Sequence, residues 1–226
     1  MFPIGDENRR GHIVPWITYL LIVANVFVFL YEVSLGAQSN ALEDFIFRYG
    51  TVPEEVSRGE DLFTLFTSMF LHGGWSHLLG NMLFLWVFGD NIEDAFGHLG
   101  YLFFYLFAGL AASLAQVVSN PDSPVPGIGA SGAIAGILGA YLIFFHSNRV
   151  RVLIGYFITE VPAWVVLLLW IATQFISVGQ ITEQPQGAGG VAYWAHIGGF
   201  MAGLIVALVL RGRVRPQQRP YRSYSR

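Results

Sequence analysis

Four polar side chains interrupt apolar stretches of this 226-residue sequence at places where they could do chemistry: His77, Asn81, Ser131 and His196. A serine hydroxyl becomes a nucleophile when a base stands within about 2.6–3.2 Å, and histidine is the commonest such base. An asparagine amide can donate a neutral N–H to the oxyanion formed when a carbonyl is attacked. Ser131 sits in Gly129-Ala130-Ser131-Gly132. The glycines remove side chains beside the hydroxyl and let another backbone come close. At the start of a helix the backbone N–H groups lack intrahelical partners and the dipole is positive, which suits an alkoxide and an oxyanion. The plainer reading of Ser131 is a small residue chosen for helix packing. His77 and Asn81, four apart, share one helical face. His72 stands five residues earlier at a loop–helix junction, either in the site or bonded to loop backbone.

The elements that position these residues are set by composition. The chain is 54% hydrophobic and 12% charged, with a mean hydropathy of +0.53. A soluble domain carries about a quarter charged residues, so this is a membrane protein. With no cysteine, disulfides, thiolate metal sites and a cysteine nucleophile are excluded. A span needs roughly 20 mostly apolar residues. Six are expected: Trp16–Leu35, Gly74–Phe88, Leu99–Val118, Gly129–Phe145, Val161–Val178 and Trp194–Leu210. No cleavable signal peptide is read before the first. Gly36–Gly73 is expected to fold as a long loop in the interface, with an amphipathic Phe45-Ile46-Phe47 and an apolar Leu62–Leu71.

All twelve basic residues are arginine. Placing the N-terminus inside leaves only Arg48 and Arg58 outside, as the distribution of positive charge favours. Spans two, four and six then begin at the outer face. On helical rise, Ser131 lies roughly 6 Å down its span and Asn81 nearer 10 Å. Polar groups on three helices thus share a depth, as a cavity open to outer water requires. Small residues recur every fourth position at Gly132, Gly136, Ala140 and at Ala195, Gly199, Gly203, Ala207. Such faces let helices approach closely, and packing spans four and six through them brings Ser131 to His196. No Asp or Glu neighbours either residue in sequence, so a dyad is expected.

The residues that carry this reading also carry a family resemblance. His72-Gly-Gly-Trp-Ser-His77-Leu-Leu-Gly-Asn81, Gly129-Ala-Ser131-Gly132 and Ala195-His196-Ile-Gly-Gly199, on alternate spans, resemble bacterial rhomboid proteases over nearly the whole chain. The resemblance implies an all-α, six-transmembrane-helix rhomboid bundle. It implies Ser131 as nucleophile, His196 as base and then acid, and an oxyanion site from Asn81, His77 and the Ser131 backbone N–H. Gly129, Gly132, His72 and Gly199 support them. Substrates would be single-span membrane proteins cut in or near the spanning segment, after a small residue and where the helix unwinds. A movable fifth span and the following loop, with Gln186-Gly187-Ala188-Gly189-Gly190, would form gate and cap. Met1–Asn8 is similar to the short N-terminus of one prokaryotic subgroup.

Two positions depart from the pattern. Phe63-Thr64 stand where many relatives have Trp-Arg, and Ala135 stands where some have an aromatic that stacks on the histidine. Glu93 and Gly97 match structural positions that hold a helix end.

The organisation expected is a cytoplasmic tail over 1–15, a protease domain over 16–211 and a basic cytoplasmic tail over 212–226 in a prokaryotic plasma membrane. That basic tail is read as a topology anchor touching anionic lipid, without a nucleic-acid partner. No cofactor or metal is expected, and no His-Glu-x-x-His stands in the chain. The alternative function is a catalytically inactive rhomboid-like factor that binds and escorts membrane proteins. A transporter would want polar groups through the whole bilayer depth.

Overall fold

A computed structural model describes residues 2–6, 13–37, 39–181 and 192–214. The Gln186–Gly190 loop and most of the basic tail lie outside them. The elements in chain order are β1 (Phe2–Asp6), α1 (Trp16–Ser34), α2 (Asn40–Tyr49), α3 (Pro53–Ser57), α4 (Thr64–Thr67) with a 3₁₀ turn at Ser68–Phe70, α5 (Trp75–Phe96), α6 (His98–Ser119), α7 (Ser131–Phe144), β2 (Arg149–Ile154), β3 (Phe157–Pro162), α8 (Ala163–Ile181) and α9 (Tyr193–Leu210).

The fold is mostly helical. Three of the described helices, α1, α6 and α9, are long and apolar enough to cross a membrane, and α7 and α8 contribute shorter apolar stretches. Large apolar side chains such as Phe27, Phe103, Ile176 and Val209 point outward from the bundle. An outward apolar surface of this kind suits lipid.

At the centre stands α7. Every residue from Gly132 to Tyr141 is buried, because α7 has neighbours on all sides in α5, α6, α8 and α9. Its glycines set the spacing. A Cβ on Gly199 or Gly203 of α9 would run into the backbone carbonyl of Gly132 or Gly136, and one on Gly139 would run into that of Phe200. The expected packing of the two small-residue faces is therefore present. A third helix shares it: Ala108 and Ala112 of α6 pack on Gly136 and Gly132, and Ala115 packs on Gly198.

Carboxylates tie the outer helices to this centre. Glu93, fully buried, accepts from the backbone N–H groups of Ile17 and Thr18 at 2.9 and 2.8 Å and from the Thr18 hydroxyl at 2.7 Å. It thereby caps the open start of α1, as a charge-assisted acceptor at the positive end of a helix should. His98 Nδ1 adds a contact at 2.6 Å. At the other end of α1, Glu32 accepts from the His72 backbone N–H at 3.2 Å and holds the chain before α5.

Three sequence expectations need correction. The chain is not purely helical: β1, β2 and β3 form an antiparallel sheet in that order, with Val150 paired to Asp6 and to Val161. Its first strand is formed by residues Phe2–Asp6. The fifth helix starts at Ala163 because Val161 and Pro162 are held in the sheet. Helix α5 continues past Phe88 to Phe96, since the polar residues of its last turns find buried partners: Asn91 donates to Asp6, and Glu93 caps α1.

Candidate active site

Helices α5, α7 and α9 all begin at one end of the bundle, opposite the sheet, and their first turns bring the expected residues together. His196 Nε2 lies 2.7 Å from Ser131 Oγ. His196 is buried and Ser131 partly exposed.

Ser131 is the first residue of α7, which at 14 residues is about 21 Å long. The preceding chain is held by the pairing of Thr51 with Gly127 and by a 2.8 Å bond from the Gly129 N–H to the Ser68 carbonyl. Gly129 has φ +121°, which side chains rarely adopt, and a Cβ there would fall 2.7 Å from the His77 ring and 3.7 Å from Asn81 Nδ2. His77 and Asn81 thus converge over the residue two before the serine, where only glycine leaves room.

His72 takes the supporting position. Burial pushes its imidazole down to about 4, so it is neutral at neutral pH. Its Nδ1 stands 3.3 Å from the Phe70 carbonyl and its Nε2 3.0 Å from Asn81 Nδ2. A carbonyl can only accept, so the proton belongs on Nδ1 and Nε2 receives one Asn81 N–H. The second Asn81 N–H is left for the site. His77 Nδ1 receives the Gly73 N–H at 3.4 Å, which leaves its Nε2 side over Gly129.

The question raised by Ala135, how His196 is oriented without an aromatic neighbour on α7, has its answer in α8. The Trp170 ring lies against His196 at a centroid distance of 5.6 Å and 38°, and Tyr193 meets the ring edge-on at 6.4 Å. Gln174 Oε1 stands 2.7 Å from His196 Nδ1. Sequence reading missed both α8 residues. A glutamine amid apolar residues was the available signal, of the same kind that singled out Asn81.

A cavity of about 40 Å³ opens beside Ser131, walled by residues including Gly127, Gly129, Gly132, Ala133, Ser113 and Gln116. Its size suits a small side chain.

A hydroxyl and an imidazole so placed at two helix starts have the geometry that acyl transfer needs. The family described as "Rhomboid domain" matches residues 59–213. The chain belongs to the rhomboid family and is an integral membrane protein. "Rhomboid protease GluP" of Bacillus subtilis (strain 168) is 31% identical over 196 residues, covering 87% of this chain and 35% of that protein. "RHOMBOID-like protein 5" of Arabidopsis thaliana is 29% identical over 170 residues, 75% of this chain and 50% of that one. "Rhomboid protease AarA" of Providencia stuartii is 30% identical over 156 residues, 63% of this chain and 56% of that one. The chain therefore spans between 35% and 56% of the length of these relatives.

Proposed function

We propose that this chain is an intramembrane serine endopeptidase that cuts single-span membrane proteins in or near their membrane-embedded segment. The observation that carries the proposal is the 2.7 Å approach of His196 Nε2 to Ser131 Oγ. As Oγ attacks the scissile carbonyl, Nε2 takes the hydroxyl proton. The carbonyl oxygen becomes an oxyanion, and the donors assigned to it are Asn81 Nδ2, the Ser131 N–H and His77. The imidazolium then gives its proton to the leaving amine. Water, deprotonated by the same nitrogen, hydrolyses the acyl-serine and returns the proton to Oγ.

A helical substrate hides its carbonyls in hydrogen bonds and must unwind before attack. The small cavity at Gly129 and Gly132 favours a small residue before the cut. The wider assignment has six spans, α1 and α5 to α9, with the short helices of residues 36–73 lying in the interface. The site faces the outer side, and the sheet end faces the cytoplasm of a prokaryotic cell. Arginine placement supports this orientation, with Arg149, Arg151, Arg211 and Arg213 at the sheet end and Arg48 and Arg58 at the site end. The presence of both reacting groups within hydrogen-bond distance disfavours an inactive escort factor.

The test is reconstitution in liposomes with a panel of single-span reporters. Cleavage by the wild type and none by Ser131→Ala is expected. Equal processing of the reporters by both would place the activity elsewhere.

A further inference from the structure

The Nδ1 side of His196 is satisfied from α8, a helix that supplies neither the nucleophile nor an oxyanion donor. Gln174 is buried and its amide is fixed at both ends. Its Nε2 lies 3.2 Å from the Trp170 carbonyl and 3.0 Å from Thr173 Oγ1, and its Oε1 lies 2.7 Å from His196 Nδ1. With the N–H groups turned to those two oxygens, the end facing His196 is the carbonyl, which can only accept. The proton of a neutral His196 must then sit on Nδ1, and Nε2 is bare toward Ser131. An amide turned the other way would put the proton on Nε2 and leave nothing to accept the serine proton.

We infer that Gln174 is a positioning residue that selects the base-competent tautomer of His196, with Trp170 flanking the ring. The inference rests on His196 being the base. It makes a functional trio of Ser131, His196 and Gln174 across α7, α9 and α8, with a neutral third member where many serine hydrolases use a carboxylate. A carboxylate buried here would carry a large desolvation cost, while an amide fixes the tautomer without it. The base consequently depends on the position of α8. Displacing that helix by an ångström or two removes the acceptor without touching Ser131.

The experiment combines reporter cleavage with ¹⁵N NMR of histidine-labelled full-length protein, the His196 signals being assigned by their loss in His196→Ala. The wild type should show the Nδ1–H tautomer. In Gln174→Leu, kcat should fall by about 10–1000-fold with KM little changed, below the roughly 10⁴-fold loss seen when a serine protease histidine is held in the wrong tautomer. Its His196 signals should show mixed tautomers. Gln174→Glu should keep the tautomer and move the acid limb of the rate profile to higher pH, because a carboxylate stabilises the imidazolium. A purely packing role would alter thermal stability alone. Wild-type turnover and unchanged His196 signals in Gln174→Leu overturn the inference. A wild type that cleaves nothing sinks the proposed function instead, and the tautomer readout still decides the role of Gln174.

A different observation at the other end of the molecule carries a second inference. The β2–β3 hairpin turns through Gly155, at φ +60°, and Tyr156. Around that tip Ile154, Tyr156, Phe157 and Ile158 are exposed, Tyr156 almost completely at 99%. The hairpin joins the end of α7 to the start of α8, so it lies where two apolar helices leave the bilayer. Helices α7 and α9 run in the same direction, and Arg211 and Arg213 emerge at this same end, exposed. Aromatic rings and arginines at one end of the bundle suit the headgroup region of an anionic bilayer.

The geometry points to the hairpin tip as an interfacial anchor dipping into the lipid surface at the foot of α8. The chain has no cysteine, so a nitroxide on Tyr156→Cys is the single label in the protein. In vesicles of phosphatidylcholine and phosphatidylglycerol it should meet dissolved oxygen more readily than a water-soluble nickel chelate, as should a reference label on Phe103→Cys. A Tyr156 label that favours the nickel chelate while Phe103 favours oxygen overturns the anchor. Nickel preference at both positions overturns the anchor together with the membrane placement of α6.

Discussion

Gly199 faces the backbone carbonyl of Gly132 so closely that a Cβ on Gly199 would run into that oxygen. This contact fixes the distance between the helices that carry Ser131 and His196. Gly199→Val therefore forces α7 and α9 apart, at a stability cost of about 1–3 kcal/mol or more, and separates the two reacting atoms beyond hydrogen-bond reach. Cleavage should fall to background although no reacting group has changed. Full activity in a folded Gly199→Val protein, followed by reporter cleavage and thermal unfolding together, would contradict the packing account.

His72 Nε2 engages one Asn81 N–H at 3.0 Å, and the proposed function assigns the other to the oxyanion. Asn81→Ala should lower kcat by about 10–1000-fold, the scale of one lost donor, with little change in KM. Steady-state kinetics on a reporter decide it, and an unchanged kcat removes Asn81 from the site.

At the sheet end, Asp6 accepts from Asn91 Nδ2 at 2.7 Å and from the Tyr141 hydroxyl, joining β1 to α5 and α7. Burial pushes its carboxyl up to about 7 from an ordinary 3.8. The folded state then holds a proton that the unfolded chain releases. The stability this contributes is present at low pH and is lost as pH rises between about 4 and 7. Thermal unfolding across that window should show a fall in stability that Asp6→Asn abolishes. Identical profiles for the two proteins would contradict the assignment.

What was legible in the sequence was what breaks a pattern. A serine and a histidine within apolar helices, flanked by small residues at every fourth position, announced the candidate site and the packing that brings its two residues together. The α6 side of that packing, Ala108, Ala112 and Ala115, was masked because alanine is common in any apolar helix. Gln174 broke an apolar run and was still passed over, while Trp170 gave no signal because its role appears only once α8 is laid against α9. The sheet had a visible trace. In Arg149-Val150-Arg151-Val152 the valines are fully buried and the arginines exposed, a period-two alternation that the orientation argument read for charge alone. Its partner β1 lies far away in sequence, and no local pattern announces so distant a pairing.

The most direct test of the account is fluorophosphonate labelling of the purified, folded protein with the modified peptide identified by mass spectrometry. The account predicts a single adduct on Ser131, absent in Ser131→Ala and strongly reduced in His196→Ala, since the hydroxyl needs the imidazole to give up its proton. An intact protein in which Ser131 stays unmodified, or is labelled equally well without His196, would contradict it.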